Sequence, residues 1–212
     1  MRPSRVAAVS FSRPLDESEV DPDPVAQFRA WFGEAREGGV REPEAAAVAT
    51  ASADGAPSVR MVLVKQADER GFVFFTNYES RKGAELAANP RAALLFYWDP
   101  LGRQVRIEGP VARLGTDETT AYVASRPRGS QLSAAASPQS RPVADRSWLE
   151  QRVAELDATY SGADVPLSDS WGGFRLSPER FEFWQHRQSR LHDRIVDTPA
   201  TGGGWKMERL AP

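Results

Sequence analysis

Short apolar segments at close spacing between residues 45 and 114 restrict the fold of this chain more than any other feature. Each has the length of a strand, and turn-forming residues such as Asp54-Gly55, a typical hairpin signal, separate them. The predicted strands in this part are residues 46–51, 59–65, 72–76, 91–98 and 103–111. Successive strands interrupted by single helices favour an antiparallel barrel over a parallel sheet that alternates with helices.

Helices and further strands are predicted around this barrel. The C-terminal strands are residues 173–176, 181–185, 191–197 and 205–210. Capping residues and helical periodicity predict helices after Asp23, after Ser80, over residues 116–125, and through Leu149, Val153, Leu156 and Tyr160. Residues 129–146 are rich in Ser, Ala and Pro and are expected to form a long loop. We therefore expect a mainly β domain with flanking helices over residues 21–212, preceded by a flexible arm of residues 1–20.

Composition excludes several classes of protein. The chain has no cysteine, so it has no disulfide and no thiolate ligand or nucleophile. His186 and His192 are its only histidines, and no metal site is expected. Phosphate-loop, dinucleotide-binding and nucleophile-elbow motifs are also absent from the sequence. If the chain catalyses difficult chemistry, an organic cofactor is the better candidate.

Net charge and hydropathy give expectations about partners and location. A net charge of −2 provides no overall attraction to nucleic acid or to an anionic membrane, so any anion must be held by a local group of cations. The longest apolar run, residues 92–98, is far shorter than a membrane span, and the N-terminal apolar patch is too short for a signal peptide. We expect a cytoplasmic protein.

Three stretches place cations beside hydroxyl or aromatic groups. Strand alternation predicts that Arg60 and Lys65 lie on opposite faces. Arg81 and Lys82 open a helix, where backbone N–H groups already favour a phosphate. Tyr122 and Arg126 share a face at a helix end. Each stretch is an anion-site candidate, with a solvated surface as the alternative.

The C-terminal part carries a fourth group. In an extended strand, Arg190, His192 and Arg194 would project to one face, which suits either a polar rim or a binding surface. Trp184 nearby is either a core residue or a ring-stacking surface.

Ten different short motifs follow one another along the chain between about residue 23 and residue 212. They are Arg-Met-Val-Leu-Val-Lys (60–65), Phe-Thr-Asn-Tyr (75–78), Ser-Arg-Lys (80–82), Gly-Arg-Gln-Val (102–105), Ser-Arg-Pro-Arg-Gly-Ser-Gln (125–131), Ser-Pro-Gln-Ser (137–140), Trp-Gly-Gly (171–173), Glu-Phe-Trp-Gln (182–185), Arg-Leu-His-Asp-Arg (190–194) and Glu-Arg-Leu-Ala-Pro (208–212). Together they resemble the pyridoxine/pyridoxamine 5′-phosphate oxidase family.

The resemblance implies an FMN-binding split β-barrel that forms a homodimer with FMN at the subunit interface. It implies oxidation of pyridoxine 5′-phosphate, pyridoxamine 5′-phosphate or both to pyridoxal 5′-phosphate, with O2 reduced to H2O2. The partners implied are therefore a small phosphorylated pyridine, O2 and a second copy of the chain, with no nucleic acid and no membrane.

The resemblance also assigns residues to roles. To FMN it assigns Arg60, Met61, Val62, Leu63, Val64, Lys65, Phe75, Thr76, Arg81, Lys82, Gln104, Gln139, Ser140, Trp184 and Arg194. To the substrate it assigns Lys65, Tyr122, Arg126, Ser130, Arg190, Leu191 and His192. Arg190 and His192 are the catalytic candidates, because they would orient the substrate over the flavin.

Two departures from the family pattern fall on the substrate side. Residues 132–135 read Leu-Ser-Ala-Ala where the family usually has Ile-Gly-Ala-Trp, and the N-terminal arm lacks the family's Arg-rich stretch. Two alternatives therefore stay open: a related flavin oxidase of phenazine biosynthesis, and a non-catalytic flavin or pyridoxal-phosphate binding protein on the same barrel.

Overall fold

The computed structural model describes residues 14–166 and 168–212. The strands in this part are β1 Ala45–Ala51, β2 Pro57–Asp68, β3 Gly71–Asn77, β4 Arg91–Trp98, β5 Arg103–Arg113, β6 Trp171–Leu176, β7 Arg180–Gln185, β8 Asp193–Pro199 and β9 Trp205–Arg209. The α-helices are α1 Pro24–Glu37, α2 Arg81–Ala88, α3 Thr116–Ser125, α4 Arg128–Ala136 and α5 Arg146–Thr159. Each predicted strand and helix has a counterpart, which confirms a mainly β fold with flanking helices.

Six strands close into an antiparallel barrel. Their order is β4-β1-β2-β3-β6-β5, and β4 also pairs with β5 to complete the ring. The remaining strands β7, β8 and β9 extend the sheet outward from β5. Within the ring, β2 and β5 lie opposite each other, with two strands between them on either side. Side chains on β2 and on β5 therefore start from opposite sides of the barrel.

Aromatic side chains fill the barrel and hold α1 against it. Phe28 is fully buried and meets Phe72 edge-on, with ring centroids 4.9 Å apart, while Phe96 lies at 5.0 Å. Asp23 caps the helix and Pro24 occupies its first turn, as predicted. The cap and the apolar face together fix where α1 begins and which side it buries.

Strand β2 has one face toward the barrel and one toward solvent. Arg60 lies on the inner face and Lys65 on the outer face, which confirms the predicted alternation. Val59, Met61 and Leu63 on the outer face are 67%, 62% and 41% exposed. A row of exposed apolar side chains on one strand is typical of a surface that binds another protein.

The predicted loop over residues 129–146 was wrong in its first half, because α4 occupies that part. Leu132 and Ala136, one helical turn apart, are the buried residues of α4. Most of the remaining side chains are small Ser and Ala, so an apolar stripe of two residues left no clear periodicity in the sequence.

The predicted strand at residues 191–197 was wrong in its first part. Ser189 and Arg190 have φ angles of 57° and 61°, and this left-handed turn delays the start of β8 to Asp193. Arg190 and His192 therefore precede the strand and do not share a strand face with Arg194.

The predicted N-terminal arm lies largely outside the described residues, which begin at Pro14. Leu15 and Val20 are buried in the core, and Arg209 of β9 pairs with Glu17 at 2.6 Å. The described end of the arm is thus packed against the barrel, and flexibility of residues 1–13 stays a prediction. Within the described ranges, no helix combines the length and apolar character that a membrane span requires.

Candidate active site

The first turn of α2 is seated tightly against the end of β3. Ser80 caps the helix, and its hydroxyl accepts a hydrogen bond from the Gly83 N–H at 3.3 Å, as predicted. A side chain at Gly83 would place its Cβ 2.2 Å from the carbonyl oxygen of Tyr78. Only glycine permits this approach, so the sequence fixes the position from which α2 presents its N-terminal N–H groups.

Lys82 is a buried cation on this turn. Its Nζ donates to Thr76 Oγ1 at 2.9 Å and to Gln139 Oε1 at 2.8 Å. Burial, reinforced by the positive charge of Arg60, lowers the Lys82 pKa to about 8. The structure thus brings together four residues that the resemblance assigned to FMN, although they come from β2, β3, α2 and the segment after α4: Arg60, Thr76, Lys82 and Gln139.

Arg60 and Arg81 meet at Glu85, a residue that the sequence reasoning did not select. Arg60 NH2 lies 3.1 Å from Glu85 Oε2, and Arg81 Nε lies 2.8 Å from Glu85 Oε1. Burial alone would raise the Glu85 pKa, but hydrogen bonds from Ser58, Thr50 and both arginines lower it to about 2. The four-residue spacing between Arg81 and Glu85 on one predicted helix could have indicated this ion pair from the sequence.

A cavity of about 480 Å³ lies beside this cluster. Five residues that the sequence assigned to FMN or substrate line it: Phe75, Thr76, Arg126, Ser130 and Gln139. Leu149 and Val153 of α5 and Trp171 of β6 complete much of the apolar wall. An apolar cavity of this volume with a few polar groups suits a small organic ligand.

Arg126 supplies an unused hydrogen-bond donor at this cavity. Its guanidinium carbon lies 4.7 Å from the centroid of the Trp171 ring, in cation–π contact. Its NH1 is buried and has no hydrogen-bond partner among the described residues. A buried N–H group without an acceptor is costly, and a phosphate bound beside Arg126 in the cavity would supply one.

Tyr122 stands beside Arg126 on α3 and has a second potential donor. Its ring stacks on Phe75 and lies parallel to Trp171 at a centroid distance of 6.2 Å. Burial raises the Tyr122 pKa, with Arg126 acting in the opposite direction. The hydroxyl is therefore protonated at neutral pH and can donate to an anion.

A second group of predicted residues lies on the β5–β7–β8 sheet. Gln104, Trp184 and Arg194 are in direct register on neighbouring strands, so they form one row across the sheet. Arg194 Nε donates to Glu182 Oε1 at 2.9 Å, and the His192 ring lies 4.5 Å from the Trp184 ring. The row offers a flat aromatic and cationic surface, as a binding site would require.

The turn before β8 carries the two catalytic candidates. His192 Nδ1 accepts a hydrogen bond from the Arg187 N–H at 3.1 Å, so the neutral ring carries its proton on Nε2. Partial burial, followed by the charges of His186 and Arg190, lowers the His192 pKa. Leu191, which was also assigned to substrate, is 70% exposed.

Other assigned residues are less closely associated. Lys65 does not line the cavity of Arg126 but a separate one of about 330 Å³ between α1 and β2. Ser140 is exposed and has a φ angle of 71°. The cluster around Lys82 is built from β2, β3 and α2, whereas the Trp184 row begins on β5, at the opposite side of the barrel ring. The residues assigned to FMN therefore form two groups on one chain.

Comparison with known proteins identifies the fold family. Residues 32–160 match the sequence model of the family described as pyridoxamine 5′-phosphate oxidase. The chain belongs to the pyridoxamine 5′-phosphate oxidase family. Residues 171–212 match a second model, the pyridoxine 5′-phosphate oxidase C-terminal dimerisation region. In this family member, that region contains Trp184, Arg190, His192 and Arg194.

Curated relatives of this family member align over nearly the whole chain. A protein from Rubrobacter xylanophilus named pyridoxine/pyridoxamine 5′-phosphate oxidase is 54% identical over 93% of this chain and 91% of its own length. A Janthinobacterium protein of the same name is 56% identical over 93% of both chains.

Two solved structures have the same fold as this chain. The crystal structure of PhzG from Burkholderia lata, in complex with tetrahydrophenazine-1-carboxylic acid, is 34% identical with a TM-score of 0.89 and covers 96% of this chain and 100% of that one. An FMN-binding protein from Nostoc punctiforme related to pyridoxamine 5′-phosphate oxidase has a TM-score of 0.71 at 16% identity, covering 87% and 97% of the two chains, and shares the fold.

Proposed function

We propose that this protein is an FMN-dependent oxidase that converts pyridoxine 5′-phosphate, pyridoxamine 5′-phosphate or both to pyridoxal 5′-phosphate, with O2 reduced to H2O2. The observation that carries the proposal is the buried, unpartnered NH1 of Arg126 at a 480 Å³ cavity. Arg126 is a further cation at a cavity that Thr76 and Gln139, the partners of Lys82, also line, and two groups of cations suit a reaction in which cofactor and substrate each carry a phosphate. The names of the relatives support this substrate class.

FMN fits the first cation cluster. Arg60, Arg81 and Lys82 would take its phosphate at the N-terminus of α2, with Thr76, Gln139 and Ser140 beside it. Met61, Val62, Leu63 and Val64 would approach it along the β2 backbone, and Phe75 would line its cavity. When bound, FMN would accept a hydride from the substrate and pass its electrons to O2.

A homodimer would complete each site. Gln104, Trp184 and Arg194 would reach the FMN of a second subunit, because within one chain they lie across the barrel from β2. The exposed row of Val59, Met61 and Leu63 and the match of residues 171–212 to a dimerisation region support this assembly. Two such sites would form per dimer by symmetry.

The substrate would be held at both ends. Arg126 and Ser130, which line the cavity, would donate to its phosphate together with the neighbouring Tyr122. Lys65, which the resemblance assigns to the same phosphate, lies at a separate cavity of this chain. Arg190 and His192, beside Leu191, would orient the pyridine ring for hydride removal, the Nε2–H of His192 acting as a donor. Their role in this proposal is positioning of the reacting carbon rather than obligatory proton removal.

Oxygen uptake by the purified protein with FMN tests the proposal. Uptake and H2O2 release with pyridoxine 5′-phosphate or pyridoxamine 5′-phosphate, but not with unphosphorylated pyridoxine, are expected. Bound pyridoxal 5′-phosphate without turnover would instead identify a carrier. The similarity to PhzG motivates a third assay with a reduced phenazine precursor, and uptake with that compound alone would replace the proposed substrate class.

A further inference from the structure

Glu85 receives hydrogen bonds from four side chains inside the site. Its side chain is 7% exposed; Oε1 accepts from Arg81 and Oε2 accepts from Arg60. The hydroxyls of Thr50 and Ser58 also donate to Oε2. An ionised carboxylate can satisfy all of these donors at once, whereas an amide has one acceptor oxygen and would turn its NH2 toward donors.

The proton directions around Glu85 follow from the chemistry of the groups. Arg60 can only donate, and its NH1 and NH2 groups donate to Thr50 and Ser58. Each hydroxyl therefore accepts from Arg60 and gives its own proton to Glu85. The guanidinium is held directly by Glu85 and indirectly through both hydroxyls, so its orientation depends on the carboxylate.

Arg81 is held differently and remains open to a ligand. It is 65% exposed, and Glu85 engages only its Nε. Both terminal nitrogens lack a partner in the described part of the chain. The three cations Arg60, Arg81 and Lys82 against one carboxylate leave a net charge of +2, which matches a phosphate monoester dianion.

We propose that Glu85 is the positioning residue of the FMN phosphate site. It orients Arg81, whose terminal nitrogens would donate to the phosphate. It also holds Arg60 beside the site, where Arg60 would contribute its charge and its Nε–H, because its terminal N–H groups already bind Val48, Thr50, Ser58 and Glu85. The inference rests on the proposed FMN-dependent function and deepens it. Pre-orientation matters because a long arginine side chain otherwise loses conformational entropy when the ligand binds. The negative charge of Glu85 neutralises part of the positive charge of the site, and in this proposal the fixed orientation of the arginines offsets that loss.

The test compares FMN with riboflavin, which lacks the phosphate, using quenching of flavin fluorescence on protein from which flavin has been removed. Glu85→Gln is expected to weaken FMN binding about tenfold, the effect of losing roughly one charged hydrogen bond, and to leave riboflavin binding within about twofold. Glu79→Gln is the matched control, because Glu79 precedes the same helix and forms an exposed pair with Arg141 at 3.0 Å. Its FMN affinity is expected to stay unchanged.

Glu85→Asp provides a second variant that keeps the charge, and it is expected to bind FMN with intermediate affinity. If Glu85→Gln fails to fold, Glu85→Asp tests the proposal instead: a lower ratio of FMN to riboflavin affinity than in the wild type supports the positioning role. Equal loss of both flavins, or FMN binding as tight as in the wild type, would overturn the positioning role. Absence of FMN binding by the wild-type protein would instead overturn the proposed function itself.

Discussion

The rings of Phe75 and Tyr122 lie nearly parallel, with their centroids 3.6 Å apart and an angle of 13° between their planes. Phe75 is on β3 and Tyr122 is on α3, so the stack holds the helix against the barrel. The Trp171 ring lies beside this pair and nearly parallel to it, with its centroid 5.9 Å from Phe75 and 6.2 Å from Tyr122. The contact joins a residue of the proposed FMN set to one of the proposed substrate set, so the two sites share one wall.

Two substitutions of Tyr122 distinguish the contribution of its ring from that of its hydroxyl. Tyr122→Phe keeps the stack and removes the donor, so we expect KM for pyridoxine 5′-phosphate to rise about tenfold with FMN affinity unchanged. Tyr122→Ala also removes the stack and is expected to lower Tm by a few degrees. Steady-state kinetics and thermal unfolding measure both effects. An unchanged KM in Tyr122→Phe would remove the hydroxyl from the phosphate site.

Arg126 and Arg128 form a matched pair for testing the second anion site. Arg126→Lys keeps the charge but loses the planar fork, and we expect kcat/KM for the phosphorylated substrate to fall roughly 10- to 100-fold. Arg128 binds Asp157 at 3.0 Å and the carbonyl oxygens of Tyr160 and Ala163, and it does not line the cavity, so Arg128→Lys is expected to lower Tm but to leave kcat/KM unchanged. Equal effects of the two substitutions would contradict a specific role for Arg126.

Local sequence patterns were sufficient to predict most of the fold. Each strand-sized apolar run predicts one strand, and the caps Asp23-Pro24 and Ser80 predict where α1 and α2 begin. These signals involve only neighbouring residues, and both helices begin at their predicted caps. The pattern failed at α4, where small residues hide the helical period, and at Ser189, where a serine adopts a backbone that glycine usually marks.

The site could be predicted only in part, because its geometry depends on long-range contacts. The resemblance assigned Arg60 and Arg81 to FMN, but the hydroxyls of Thr50 and Ser58 that connect Arg60 to Glu85 come from two strands remote from α2 in sequence. The division of the assigned residues between opposite sides of the barrel is likewise a property of strand order. No local motif encodes either fact.

Lys82 predicts a pH dependence of cofactor binding. With its pKa lowered to about 8, the ammonium is charged below that pH and becomes neutral above it. A phosphate prefers the charged form, so FMN affinity should fall as pH rises from 8 to 10, by at most about tenfold per unit. Riboflavin affinity should not show this fall. Lys82→Met should bind FMN weakly at every pH, and a wild-type slope in that variant would exclude Lys82 as its source.

Asp197 is an unsatisfied acid in the core. It is fully buried on β8, between Phe181 of β7 and Met207 of β9 in the strand register. Neither carboxylate oxygen has a hydrogen-bond partner among the described residues. Burial raises its pKa to about 6, because the charged form loses its hydration without gaining a donor.

The raised pKa of Asp197 makes stability fall as pH rises. Between about pH 4 and pH 6 the unfolded chain has lost this proton while the folded chain keeps it, so the free energy of unfolding decreases through that window and stays lower above it, by up to about 3 kcal/mol. Asp197→Asn removes the charge and should be more stable than the wild type at pH 8 but not at pH 4. Urea unfolding of both proteins at the two pH values measures the difference between their free energies of unfolding. The other titrating groups are the same in both proteins, so their contributions cancel in this difference. The exposed Asp169→Asn should show no gain, and an Asp197→Asn gain that is equal at both pH values would mean that ionisation of Asp197 is not the cause.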